Sequence, residues 1–443
     1  MKARLQPVFF MSGMDADYQK QLANLRTLLG DVADLLEPIP LDAAGGLSGA
    51  DAVVFPQMLG DAYRQLAALK AIPLPKLVIT SEFGTMSMWD WEIGSYLRAE
   101  GVSTIAPYSL DQTVKICRAL VVKRELAQTR YLVYQDNPGE GFQAPIFKRF
   151  YWWEDECTRR MFDAFGVTIE KRSFRELGAQ AKAIPDAAAQ AVWDAWRGRL
   201  NLGAMGERPL LSAFKMYIAL RDAVNADPSI GGVGINCLNE SHFSDTTPCL
   251  AWNMLYTEKR LIWGCEADTV SMLTKFILNR TLDVPVMMTN LYPFLMGQAA
   301  LKHERISDFP QVAGDPANYI LAAHCGYLGV LPQEWATEWQ MKPKVLAIVD
   351  GNSTVIDARL PEGPITMAKL SPGFDRITVA PGTLTGYAQY PGSDCLNGAV
   401  IRVNDGHRLM NTVLSHHYIF MTGNQLPVLR HIAPIFGLEI DVI

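Results

Sequence analysis

A chain of 443 residues exceeds what one ordinary core organises, and about three domains are expected. A composition of 49% hydrophobic and 19% charged residues excludes a disordered chain. A net charge of -6 with no block of like charges excludes an electrostatic footprint for nucleic acid or an anionic membrane.

No apolar run reaches the roughly 18 residues needed to cross a bilayer. Seven cysteines without a CxxC pair describe neither a disulfide framework nor a thiolate zinc site, so reduced thiols in a cytoplasmic protein are expected. At the amino terminus, residues 7–11 are short, rich in strand formers and followed by Ser12-Gly13. That is how a first buried strand meets its turn, and it argues against a signal peptide.

The first segment, residues 1–130, alternates short buried runs at 7–11, 51–55 and 76–80 with amphipathic stretches at 18–29 and 62–69, the alternation of an open α/β domain. Ser81, Glu82 and Phe83 follow the third of these strands, where such sheets carry ligand groups or simply cap a helix. A second α/β domain is expected over residues 131–340. It opens on the strand-like run 131–134 and continues through a helix at 153–165, a strand at 167–169 and a helical region at 179–197 interrupted at Pro185. From about residue 341 to 443, closely spaced strand-like runs (345–349, 365–370, 376–380, 398–403 and 413–421) are separated by Asp-Gly and Pro-Gly turns. The expected fold is therefore α/β, with two open doubly wound domains followed by a C-terminal antiparallel β-barrel-like domain. A helix at 426–436 and a strand at 438–443 close the chain.

Four buried runs in the second segment each end in polar residues. Residues 232–237 lead to Asn239 and Glu240, 260–265 to Glu266 and Asp268, 285–288 to Thr289 and Asn290, and 319–323 to His324. If these runs are neighbouring parallel strands, all four clusters share the carboxyl edge of one sheet, where open α/β sheets bind ligands. Asp268 precedes a helical stripe and reads as an N-cap. His416 and His417 interrupt an apolar strand, and strand alternation sends only one of them into a given site. Glu266, His324 and His417 with the Asn290 oxygen would form an N/O ligand set for a divalent ion.

These same residues resemble the L-fucose and L-arabinose isomerase family. The resemblance is carried by Pro248-Cys249-Leu250-Ala251, Gly264-Cys265-Glu266-Ala267-Asp268, Ala323-His324-Cys325-Gly326, the His416-His417 pair and the ending Gly437-Leu438-Glu439-Ile440-Asp441-Val442-Ile443. It implies a ketol-isomerase that interconverts an aldose and a ketose through a metal-assisted enediol, with manganese as the divalent ion. By that resemblance Glu266 and His324 are catalytic, Glu266, Asn290 and His417 hold the metal, and Asn239 and His416 contact the substrate. The position of a second acidic residue falls on Thr289 or Asn290, of which Asn290 supplies a neutral oxygen. The implied partners are a small-molecule sugar and further copies of the chain in a homo-oligomer, with no nucleic acid and no membrane. A metal-assisted lyase or epimerase on a sugar derivative, using the same Glu and His, and a non-catalytic sugar-binding relative that keeps the pocket and fold but not the metal remain open here.

Overall fold

A computed structural model of the chain describes residues 1–10, 13–58, 60–136, 155–237, 243–293, 311–324, 329–344, 351–388 and 398–443. The expected strand at 345–349 lies outside them. The chain divides into two compact units, one of Met1–Leu126 with Arg280–Leu282 and Pro427–Glu439, the other of Ala127–Asn279, Asp283–Leu426 and Ile440–Ile443. Among the described residues no helix is long and apolar enough to cross a membrane.

The first unit is built on a parallel sheet. Strands β1 (Ala3–Phe9), β2 (Ala33–Leu35), β4 (Ala52–Phe55) and β5 (Lys76–Val78) lie in the order β2-β1-β4-β5, and the short β3 (Ile39–Pro40) also pairs with β1. Helices α1 (Ala16–Leu29), α2 (Leu66–Ala71), α3 (Asp90–Ala99) and α4 (Leu110–Leu126) connect or follow these strands. Asp15 caps α1, its side chain accepting the Tyr18 N–H at 2.8 Å, which satisfies a donor that the first turn leaves open. Val8, Val53, Phe55 and Val78 from the strands pack with Leu69 and Leu97 from the helices in one buried cluster.

The second unit carries three sheets among the described residues. Strands β6 (Arg130–Tyr134), β7 (Thr168–Arg172), β8 (Ile230–Ile235) and β9 (Ile262–Cys265) pair in parallel in the order β7-β6-β8-β9. The helices of this part are α5 (Asp155–Phe165), α6 (Phe174–Ala183), α7 (Asp186–Trp196), α8 (Glu207–Asn225), α9 (Cys249–Lys259) and α10 (Thr269–Leu282). Helix α10 packs close to the sheet because the strands beneath it are glycine-rich. A Cβ built on Gly264 would lie 2.5 Å from Met272 Cγ, and one on Gly234 would lie 2.9 Å from Met272 Sδ. Gly264→Ala is accordingly expected to lower stability by about 1–3 kcal/mol, an overpacking penalty, read as a lower denaturant midpoint.

The remaining strands are β10 (Val286–Pro293), β11 (Tyr319–Ala323), β12 (Glu338–Pro343), β13 (Thr354–Arg359), β14 (Gly363–Leu370), β15 (Arg376–Ala388), β16 (Gly398–Val403), β17 (His417–Thr422) and β18 (Glu439–Val442), the last paired with β15. Six of them close into an antiparallel barrel, β14-β17-β10-β11-β16-β15 and back to β14, while β12 and β13 pair with each other. This corrects the expectation of four parallel runs. Strands β8 and β9 are parallel neighbours, but β10 and β11 pair antiparallel with each other and with β17 and β16. A barrel strand and a parallel-sheet strand both read as a short apolar run, and partner direction leaves no local signature. The barrel thus takes two strands from before residue 340.

Candidate metal centre

The centre forms where β9 turns into α10. Glu266 and Ala267, which link them, both adopt left-handed backbone, with φ of 54° and 57°. For residues bearing a Cβ this costs on the order of 1–3 kcal/mol each and persists only where surrounding contacts impose it. Here the Ala267 N–H donates to Ile235 O at 3.0 Å and the Asp268 N–H to Cys265 O at 3.1 Å, which folds the turn back over the sheet edge. The Glu266 side chain is left at the carboxyl end of β9, with the residue 8% exposed.

Asp268 is the expected N-cap, accepting the Ser271 N–H at 2.7 Å, and it does more. It is fully buried, and its Oδ2 accepts Lys369 Nζ at 2.9 Å and lies 2.9 Å from His417 Nδ1. Lys369, on β14, is itself 1% exposed. Burial by itself would raise the Asp268 carboxyl, but the Lys369 ammonium and His417 outweigh it and hold the group below the usual carboxylate range. An ionised Asp268 only accepts, so Nδ1 of His417 carries the hydrogen. Burial drives His417 far towards its neutral form, with help from His416. The neutral ring so oriented turns the lone pair of Nε2 towards Glu266, whose Oε2 is 3.9 Å away. A histidine held by a carboxylate on one nitrogen, with its other nitrogen turned to the ion, is the usual arrangement of a metal-binding imidazole.

Both histidines of the pair reach Glu266, contrary to the expectation from alternation. Their rings are 4.1 Å apart between centroids, and Glu266, His416 and His417 each offer one ligand atom with all three atoms within 4.8 Å of one another. Strand β17 begins only at His417, so His416 sits in a bend before it and escapes the strand's alternation. Ligand atoms about 2.1 Å from a shared ion lie no more than about 4.2 Å apart, and the 3.9 Å between Glu266 and His417 already meets this. This buried group could hold a metal ion.

The other expected residues fall around it unequally. Asn290 is directly opposite His417 in the barrel ladder, so the two side chains share a face. Its Nδ2 donates to Tyr292 Oη at 3.2 Å, and its buried Oδ1 has no hydrogen-bond partner among the described residues. His324 follows β11, its ring centroid 6.3 Å from that of His417 and 5.9 Å from that of Trp263. Burial, then Lys275 and Lys344, push the His324 imidazole down to about 3, so it is neutral at physiological pH. Asn239 lies outside the described residues.

Other residues here were not singled out from sequence. Lys369 and Lys275 are charges inside apolar runs, and that is the signal that marks them. Lys275 Nζ is buried 3.2 Å above the Trp263 ring centroid, and burial carries its amine well below the ordinary lysine range. Gln135 and Asn236 continue the row in which Tyr134, Ile235 and Cys265 are register partners. Gln135 Oε1 and both amide atoms of Asn236 are buried without a hydrogen-bond partner among the described residues.

Stability should report these histidines. His416 is pushed down to about 4, chiefly by burial, and His324 to about 3, against about 6.5 in the unfolded chain. Between these limits the unfolded chain binds more protons, so stability is complete above pH ~6.5 and falls as the pH drops towards 4. The expected slope is about 1.4 kcal/mol per pH unit per histidine. Urea midpoints of metal-free protein between pH 7 and 5 check it, and a flat profile would contradict the buried neutral imidazoles.

No protein-family model matches this chain, and no curated protein does. Among solved structures, an ABC transporter solute-binding protein from Agrobacterium vitis, bound with α-D-tagatopyranose, is similar at 15% identity. The match covers 53% of this chain and 76% of that one, with a TM-score of 0.15, too loose a likeness to carry fold or function across.

Proposed function

We propose that the protein is a manganese-dependent aldose–ketose isomerase, related to the L-fucose and L-arabinose isomerases and acting as a cytoplasmic homo-oligomer. The observation that supports this most is the buried carboxylate beside two imidazoles, one of them fixed by the Asp268–Lys369 pair. Carboxylate and amide oxygen suit manganese while imidazole widens the choice to zinc or iron; manganese follows from the family resemblance, and Glu266, His416, His417 and the Oδ1 of Asn290 would hold it. A bound divalent ion would polarise the carbonyl and neighbouring hydroxyl oxygens of an open-chain sugar.

The chain's own residues supply the rest. Glu266 takes the proton from C2 of the aldose and returns it at C1 while the O2 hydroxyl proton passes to O1, a 1,2-shift through an enediol that needs one carboxylate within reach of both carbons. Gln135 and Asn236 bind sugar hydroxyls, because buried amides without partners gain most from a ligand that completes their hydrogen bonds. His324, kept neutral by burial, hydrogen-bonds substrate oxygens and does not act as a charged acid.

The test is manganese binding by calorimetry together with turnover of a panel of aldoses and ketoses. Tight binding with interconversion of at least one pair is expected; absence of both would overturn the reading. Asn290→Asp adds an anion facing His417 and is expected to raise manganese affinity by about tenfold or more. Weakened binding would mean that this position does not face the ion.

A further inference from the structure

Beside the Glu266 turn lies a sulfur pair that the proposed isomerase chemistry does not use. Cys265 is the last residue of β9, adjacent to Glu266, and Cys237 lies two residues beyond the end of the neighbouring strand β8. Neither is in a disulfide; Cys265 is 2% and Cys237 6% exposed, and their Sγ atoms are 3.1 Å apart. Two thiols at that separation share an S–H···S contact. They also need to close by only about 1 Å to reach the ~2.05 Å of a disulfide.

The geometry points to Cys237 and Cys265 as a reversible disulfide pair, closed by a peroxide and opened by a dithiol, that reports oxidation to the Glu266 turn. The chemistry balances in two steps. Hydrogen peroxide oxidises the Cys237 thiol, the more exposed of the two, to a sulfenic acid, and one oxygen leaves as water. The Cys265 sulfur then attacks the sulfenic sulfur, an S–S bond forms, and the hydroxyl departs as a second water with the thiol proton. Overall, two thiols lose two electrons and two protons to one peroxide.

The position gives the bond a consequence. Cys265 O accepts the Asp268 N–H that folds the Glu266 turn, so drawing the Cys265 sulfur towards β8 pulls on the segment that carries the ligand carboxylate. Ligands must be held within about 0.5 Å of their productive places, so even a part of that ~1 Å sulfur movement, passed to the turn, is enough to disturb the carboxylate. The oxidised chain should therefore bind manganese about 10- to 100-fold more weakly, the range seen when the support of a metal ligand is lost. This consequence rests on the metal reading; the crosslink itself does not.

The full chain is treated with a few equivalents of hydrogen peroxide, unfolded in iodoacetamide, digested without reductant and analysed by mass spectrometry. Loss of two alkylatable thiols and one linked peptide pair containing Cys237 and Cys265, both reversed by dithiothreitol, are expected. C237S and C265S should each abolish the link. The wild-type thiol count needs no variant, so a misfolded substitution does not decide the matter. Both cysteines still alkylated, each separately over-oxidised, or linked to other cysteines would overturn the pair. Manganese titration before and after oxidation reads the coupling, and a complete crosslink with unchanged affinity would overturn the reporting role. A reduced chain that binds no manganese while the crosslink forms marks failure of the metal reading alone.

Discussion

Glu266→Gln is expected to lower kcat by about three orders of magnitude, within the 10²- to 10⁴-fold range of a positioned acid–base group, and to weaken manganese binding. The amide is nearly isosteric and cannot carry a proton between C2 and C1. The left-handed backbone at Glu266 is imposed by the Ala267–Ile235 and Asp268–Cys265 hydrogen bonds, which involve main chain only, so the turn should survive the change. Unaltered melting together with lost turnover separates a chemical role from a structural one. Retention of more than a tenth of wild-type kcat would remove Glu266 from the reaction and favour a different base.

Much of this site was legible because its carriers interrupt patterns. Glu266 ends an apolar run, His416 and His417 break an apolar strand, and Pro185 separates α6 from α7 where a continuous helix would otherwise be read. The alternation of buried runs and amphipathic stretches marked both parallel sheets, since a 3.6-residue period and short apolar runs are local properties. What escaped was non-local. Nothing in the residues of β10 and β11 records that their partners run antiparallel, because each strand meets only backbone that the chain brings from far away. The bend that admits His416 depends on where β17 begins, and strand ends are the least local feature of a pattern. Lys369 was hidden because its partner Asp268 is 101 residues away in sequence, and only the fold reveals that the charge is neutralised.

That buried ion pair leads to the largest expected effect on stability. Lys369→Met would leave the Asp268 carboxylate in a dry interior with Ser271 and His417, and breaking such a pair costs about 3–5 kcal/mol, visible as a large drop in urea midpoint. The chemistry should change with it. The Lys369 ammonium is the leading group that holds the Asp268 carboxyl down against burial, so its removal raises that carboxyl, and a protonated Asp268 no longer fixes the His417 hydrogen on Nδ1. Manganese affinity of the variant should therefore fall more steeply at pH 6 than at pH 8. The double change Asp268→Leu with Lys369→Met removes both charges and, since well-packed apolar replacements of buried pairs are often neutral, should recover most of the stability. It cannot recover metal binding, because His417 Nδ1 then lacks the acceptor that fixes its tautomer, and affinity should stay about 10- to 100-fold below wild type. Recovery of both properties in the double variant would show that Asp268 only compensates Lys369, whereas recovery of stability alone would identify it as the residue that aims His417.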